Sequence, residues 1–201
     1  MDINATLVKE LREKTGVGMM DCKKALQESK GDLTLAVEYL RKKGIATAKK
    51  RGGRATSEGQ VTAYIHPGAK IGVLVEVNCE TDFSGKTADF TAFVKNIAMQ
   101  IAAANPLSVD REGIPADLLE KEREIYVTQA KESGKPDKVI EKIVEGKMTK
   151  FYTEVCLLEQ PYVKNPDIKV HDLLNELMAK TGENIVIRRF TRYQLGESDA
   201  D

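Results

Sequence analysis

Cysteine is scarce in this chain and is placed where it can do little chemistry. There are 3 in 201 residues, at Cys22, Cys79 and Cys156. They are odd in number and far apart, with no Cys-x-x-Cys pair, which argues against a zinc or redox site. The simplest compartment for such a chain is a reducing, cytoplasmic one. Histidine is scarcer still, at 2, and His66 and His171 fall on different elements. No Gly-x-Ser-x-Gly, Gly-x-x-x-x-Gly-Lys or Gly-x-Gly-x-x-Gly stretch occurs, so nucleophile elbow, P-loop and dinucleotide fingerprint are all missing. No catalytic residue, bound metal or cofactor is expected, and the chain does not read as an enzyme. An excess of charge is also missing: 31 basic residues balance 31 acidic ones. That argues against a protein whose main task is to grip nucleic acid, while leaving room for a local basic patch. No apolar run approaches the roughly 20 residues that span a bilayer. The first residues, MDINATLVKELREK, are amphipathic with acidic and basic residues in balance, and they lack the form of a signal peptide.

What is present fits a globular protein with a core. Hydrophobic residues make up 41% and charged residues 31%, within the ordinary range. The length suits one large domain or two small ones.

The first forty or so residues read as three short helices. Leu7 and Leu11 mark one face of the first, which Gly16 and Gly18 break. Asp21 is a candidate cap for a second helix carrying Ala25 and Leu26. Gly31 ends it, and Asp32 can cap a third, striped by Leu33, Ala36, Val37 and Leu40. So small a bundle has little room for an enclosed active site and suits binding. Met19 and Met20 fall between two helices. They either fill the core or wait for a partner's surface, which flexible methionine suits. From Arg41 to Arg54 the chain carries basic residues and no acidic ones. It reads as a helical linker ending at Gly52 and Gly53, with a solvated face and a phosphate-binding patch as the two readings.

Val61, Ala63 and Ile65 alternate with polar neighbours, Pro67-Gly68 turns, and Ile71, Val73, Val75 and Val77 alternate again. The pattern predicts a hairpin with one face buried. His66, beside the turn, reads as a surface or hydrogen-bonding histidine rather than a general base. After NCETDFSGKTADF, the residues Phe90, Phe93, Val94, Ile97 and Ile101 follow helical spacing to Asn105-Pro106. Pro115 opens a helix marked by Leu119, Tyr126 and Ala130. Gly134 ends it and Pro136 opens the next, with the stripe Ile140, Ile143, Val144, Phe151, Val155 and Leu158. Two long helices joined by Ser-Gly-Lys-Pro make a helical hairpin. EQPYVKNPDIK reads as a loop, HDLLNELMAKTG as a helix stopped by Gly182, and NIVIRRFTRYQL as a strand joining the hairpin, since two strands alone are marginal. The tail GESDAD is polar and reads as frayed.

Phe83 is the puzzle within this pattern. A phenyl ring in a Thr-Asp-Phe-Ser-Gly turn either staples onto the helix that follows or is held out for a partner. Glu80 and Asp82 stand close enough in sequence to hold a cation, but Mg²⁺ sites normally borrow substrate phosphates as well.

LVKELREKTGVGMMDCKKAL, YIHPGAKIGVLVEVNCETDF, VEGKMTKFYTEVCLLEQPYV and GENIVIRRFTRYQLGE, in that order and spanning nearly the whole chain, closely resemble the bacterial elongation factor Ts family, in its short form with one core sheet module. The resemblance implies an α+β fold: a ubiquitin-associated-like three-helix bundle with its basic linker at 1–54, then a core at 55–201. In that core a small antiparallel sheet of about three strands packs with helices, and a helical hairpin at about 115–158 protrudes. It implies a guanine-nucleotide exchange factor for the GTPase elongation factor Tu, acting in the cytoplasm without direct nucleic-acid or membrane contact. It assigns partner contacts to Leu11, Met19 and Met20, and disturbance of the GTPase's Mg²⁺ site to Thr81, Asp82, Phe83 and Ser84. Tyr64, Ile65 and His66 match a further contact region. Ser84 stands where the family commonly has Val; it could cap the following helix, and it removes an apolar group from the wedge. A single core module also implies a homodimer giving a two-to-two complex. A different reading, a tRNA- or ribosome-touching protein, rests on the Arg41–Arg54 run and lacks an aromatic base-stacking motif.

Overall fold

A computed structural model describes residues 3–51, 53–132 and 136–197, with side chains at 45 and 47–51 excepted. The expected stop at Gly52, the Ser133–Gly134–Lys135 link and the end of the polar tail lie outside the described residues. In chain order the elements are α1 (Ala5–Thr15), α2 (Met19–Glu28), α3 (Leu33–Arg51), β1 (Glu58–Ile65), β2 (Ile71–Cys79), α4 (Asp82–Gly85) and α5 (Ala88–Ala104). There follow α6 (Ala116–Glu132), α7 (Asp137–Val155), a 3₁₀ turn (Leu157–Glu159), β3 (Pro161–Tyr162), β4 (Asn165–Lys169), α8 (Val170–Thr181) and β5 (Ile185–Gln194). The architecture is α+β. One sheet has the order β1-β2-β5 and the other pairs β3 with β4. No helix among the described residues is long and apolar enough to cross a membrane.

The chain divides into two compact units. The first is Met1–Gln60, Val77–Phe93 and Asp172–Val186; the second is Val61–Glu76, Val94–His171 and Ile187–Asp201.

Within the first unit, α1 to α3 close around Val8, Leu11, Cys22, Ala25, Leu26, Ala36 and Leu40. The caps follow from local chemistry: the side-chain oxygens of Asn4 and Asp32 accept from the backbone N–H groups of Thr6 and Leu35 at 3.0 and 2.9 Å, holding donors a helix start leaves unpaired. Asp21 is not a cap. Gly18 takes that position without a side-chain bond, and Asp21 sits in the first turn of α2, favourable to the helix dipole and paired with Lys43 at 2.5 Å. Met19 and Met20 therefore begin α2 rather than linking two helices. The basic stretch continues α3 without a break to Arg51. α8 runs beside α3, with Arg41 and Asp172 at 3.3 Å. Gly16 ends α1 at φ 67°. A Cβ there would meet Lys180 Cε at 2.2 Å, but that is the far end of a flexible side chain, so it is the left-handed backbone angle that favours glycine.

In the second unit, the hairpin turn is fixed by His66 N–H donating to the Ile71 carbonyl and Ala69 N–H to the His66 carbonyl, each 2.9 Å. On the other edge of β2, Leu195 N–H donates to the Lys70 carbonyl at 2.8 Å and Arg189 meets Glu76 at 2.7 Å, which sets β5 antiparallel to β2. Along β2 the residues Val73, Val75, Val77 and Cys79 are buried, the last two belonging to the first unit. The expectation that Val61, Ala63 and Ile65 share a buried face is corrected: all three are exposed, and Gln60, Thr62 and Tyr64 turn partly inward. Pairing His66 with Ile71 sets odd residues of β1 opposite even residues of β2, so the two apolar sets fall on opposite faces.

α6 and α7 pack around Ala130, Ile140, Val144, Met148 and Phe151, with Lys147 reaching Gln129 and lying 5.3 Å from the Tyr126 ring centroid. At the base, Arg111 grips both oxygens of Glu159 at 2.5 and 2.8 Å and stacks 4.2 Å over Tyr152. The segment expected to be a loop, EQPYVKNPDIK, instead contains the whole β3–β4 ribbon. Gln100 organises it, donating to the Gln160 side chain at 3.1 Å and accepting from Val163 N–H at 2.8 Å, because buried amides need partners.

Candidate partner-binding site

The Thr-Asp-Phe-Ser-Gly turn becomes a single helical turn, α4, lying within the first unit. Thr81 is its N-cap, with Oγ accepting from Ser84 N–H at 3.3 Å. Thr87 caps α5, with Oγ accepting from Phe90 N–H at 3.2 Å. Thr87, and not Ser84, thus caps the helix that follows the turn. Asp82 sits in the first turn of α4, suited to its dipole, and pairs with Lys86 at 2.6 Å. The Lys86 hydrogen bond and charge hold the Asp82 carboxyl below its ordinary range.

Phe83 is 83% exposed. A staple would have buried the ring, so that alternative is gone. Ser84, its neighbour, is buried, and its hydroxyl finds no hydrogen-bond partner among the described residues. The side chain at 84 is thus packed inward, and a direct contact between it and a partner does not fit this placement.

The turn is held from below and behind. Cys79 donates its thiol to the Thr81 carbonyl at 3.1 Å, and burial, followed by the nearby Glu183 charge, pushes that thiol's pKa up. Gln60 donates to the Gly85 carbonyl at 2.7 Å. Glu183, just after α8, accepts from the backbone N–H groups of Glu80 and Thr81, each at 3.1 Å, and from Thr81 Oγ at 2.5 Å. Glu80 in return accepts from Asn184 N–H at 2.6 Å and lies 3.4 Å from Arg54. Sequence reasoning missed Glu183 and Asn184. Their only signal is a Gly-Glu-Asn turn after a helix, with nothing local to say what it holds. Glu80 and Asp82 thus have protein partners, and among the described residues no three His, Cys, Asp or Glu side chains gather as a metal site.

In the same unit, Met19 and Met20 are 55% and 77% exposed, whereas Leu11 is fully buried. Leu11 belongs to the bundle core, and a direct partner contact by its side chain does not fit that placement; it shapes the module that displays the methionines. In the second unit, Ile65 and His66 are exposed and Tyr64 half-buried, with the Tyr64 hydroxyl 3.1 Å from His66 Nδ1.

Fold and site together define an α+β protein that exposes large apolar side chains at helix starts, Met19 and Met20 on α2 and Phe83 on the single turn α4. The elongation factor Ts family model matches residues 46–197. Over 196 residues the chain is 62% identical to elongation factor Ts of Syntrophobacter fumaroxidans, covering 98% of each. It is 61% identical to that of Desulfotalea psychrophila, covering 98% of this chain and all of the relative, and 60% identical to that of Geobacter sulfurreducens, covering 98% and 91%. The chain belongs to the elongation factor Ts family and is a translation elongation factor.

Proposed function

We propose that this chain is the guanine-nucleotide exchange factor for elongation factor Tu, working in the cytoplasm. It binds the GDP complex of that GTPase, disturbs the Mg²⁺ and phosphate site, and promotes release of GDP and its exchange for GTP. It makes and breaks no covalent bond and needs no cofactor. The observation that carries the reading, beside family membership, is Phe83: a phenyl ring 83% exposed on a turn tied down on both sides. Burying so large a ring is normally favourable, so its display suits a partner.

An exchange factor must favour the nucleotide-free GTPase over the loaded form. By linkage, it and GDP then weaken each other's binding equally. A protein that bound both forms equally would shift nothing. Mg²⁺ is an efficient target because it bridges phosphate oxygens and neutralises their charge. In this reading residues 1–54 anchor through Met19 and Met20, and the core at 55–201, with its hairpin at about 115–158, presents the wedge. Thr81 and Asp82 shape the turn, Phe83 enters the partner, and Tyr64, Ile65 and His66 add a further contact. Binding at the methionines offsets the cost of distorting the GTPase. No direct nucleic-acid contact is part of this function.

Release of a fluorescent GDP analogue from elongation factor Tu tests the reading. Phe83→Ala should slow release more than it weakens binding, and Met19→Ala with Met20→Ala should do the reverse. Exchange at the wild-type rate by Phe83→Ala would end the wedge model.

The sheet supports a homodimer within the same function. Val61, Ile65, Leu74 and Tyr193 are exposed on strands of one sheet. Alternation with buried Val73 and Val75 sets Leu74 on the outer face of β2, and the hairpin register puts Val61 and Ile65 on that side. Isolated exposed apolar residues need no explanation, but a group of them on one sheet does. Pairing two copies through that face would cover it and would remove Ile65 from the GTPase contacts. Light scattering across concentration tests this, and a strict monomer at high concentration removes it.

A further inference from the structure

α4 is a single turn of four residues, too short to hold its own shape, because a helix nucleus is unfavourable until more turns add to it. Burial cannot aim Phe83 either, since the ring is 83% exposed. Something else must set its direction.

We infer that Glu183 is a positioning residue for Phe83, the carboxylate of a reciprocal clamp that fixes the root of the turn; the inference rests on the exchange function proposed above. Two chain segments exchange bonds. The Glu183 carboxylate takes the backbone N–H groups of Glu80 and Thr81 on one oxygen and the Thr81 hydroxyl on the other. Glu80 takes Asn184 N–H at 2.6 Å, and the Asn184 side chain donates to the Arg54 carbonyl at 2.9 Å. Each acid holds the backbone of the other's segment. All of these residues belong to one compact unit.

The chemistry suits a fixed mount. Hydrogen bonds to an ionised acceptor are shorter and stronger than neutral ones. Glu183 uses both oxygens, and through Thr81 Oγ it reaches the cap that starts α4. With Glu80 N–H and Thr81 N–H both engaged, the peptide planes leading into α4 have defined orientations, and Phe83 lies two residues on. A wedge acts only if it yields less than what it pushes against. A loose root would let the ring adapt to the loaded GTPase and lose the differential binding that exchange requires.

A merely structural carboxylate would affect folding and leave the division between binding and rate alone. The test therefore measures GDP-analogue release from elongation factor Tu over a range of factor concentration. Alongside it, amide exchange is followed at Glu80 and Thr81, and circular dichroism checks the fold. Glu183→Ala should lower the saturating release rate about tenfold, since small misplacements of working groups have large effects on rate, while changing the half-saturating concentration less than about threefold. Amide exchange at Glu80 and Thr81 should rise. Glu183→Gln should recover most of the rate, because its carbonyl oxygen can still take the two amides. In a Phe83→Ala background, Glu183→Ala should add little further loss.

Several results would overturn the clamp: a wild-type saturating rate for Glu183→Ala, unchanged exchange at both amides, or a full additional loss on top of Phe83→Ala. If Glu183→Ala does not fold, Glu183→Asp, which keeps the charge but draws the carboxylate back from the Glu80 and Thr81 amides, carries the test with the same expected split and the same overturning results. Failure of the wild-type chain to speed GDP release would instead sink the exchange function itself.

Discussion

Phe83 and Phe90 stand seven residues apart on either side of Thr87, and they meet opposite environments: Phe83 is 83% exposed while Phe90 is fully buried. The contrast separates stability from function within one short stretch. Phe90→Ala should destabilise by about 3–5 kcal/mol, the usual cost of emptying a buried aromatic site. Phe83→Ala should change stability by less than about 0.5 kcal/mol, as surface substitutions do. Urea unfolding of the two variants, read against GDP-release rates, checks the pair. A large loss of stability from Phe83→Ala would mean the ring packs on its own chain.

Leu11 and the methionines divide in the same way. Leu11→Ala removes a fully buried side chain from a three-helix core, and about 2–5 kcal/mol of stability should go with it. Met19→Ala with Met20→Ala alters exposed positions and should leave the unfolding midpoint nearly unchanged. Binding to the GTPase should weaken about tenfold, or about 1.4 kcal/mol, with the saturating release rate preserved. Titration by fluorescence and unfolding in urea read the two quantities separately. If Met19 and Met20 together affect rate and not affinity, they are part of the wedge and not the anchor.

The helices were largely legible because their signals are local. Phe90, Phe93, Val94, Ile97 and Ile101 repeat at helical spacing and are all buried; Pro136 stands at the start of α7 and Asp32 caps α3. β1 was less legible. Whether Val61, Ala63 and Ile65 face in or out depends on which residue the hairpin turn pairs with His66, and a one-residue change reverses every side chain. The β3–β4 ribbon was hidden by two prolines, a feature that ordinarily demotes a strand. At the site, Thr81-Asp82-Phe83 could be singled out, but a staple and a displayed wedge have the same local sequence. The clamp on it could not be read at all, since Glu183 meets Thr81 across more than a hundred residues of chain.

Ser84 raises a question that its burial answers. Because the hydroxyl is buried without a protein partner among the described residues, removing it frees an unsatisfied polar group. Ser84→Ala should therefore be neutral or stabilising, by up to about 1 kcal/mol. Exchange activity should stay at the wild-type level, since the side chain lies inward. Ser84→Val should likewise leave the half-saturating concentration for the GTPase unchanged. A rise in affinity on placing Val there would show that residue 84 reaches the partner after all.

Acid should loosen the base of the helical hairpin first through Glu159. Its carboxyl is held below the ordinary glutamate range chiefly by the hydrogen bonds from Arg111, which grips both oxygens. A carboxyl whose folded pKa lies below its unfolded value contributes stability that is fully present above the unfolded pKa, and it loses that contribution as pH falls through the folded one. In Glu159→Gln the group no longer titrates, so the variant should be less stable than wild type at neutral pH, and the difference should shrink as pH falls from about 6 towards about 3. Urea midpoints measured across that range would show two curves converging at the acid end. Parallel curves would mean that Glu159 titrates alike in the folded and unfolded chains, and the Arg111 pair would then not be what secures the hairpin's root.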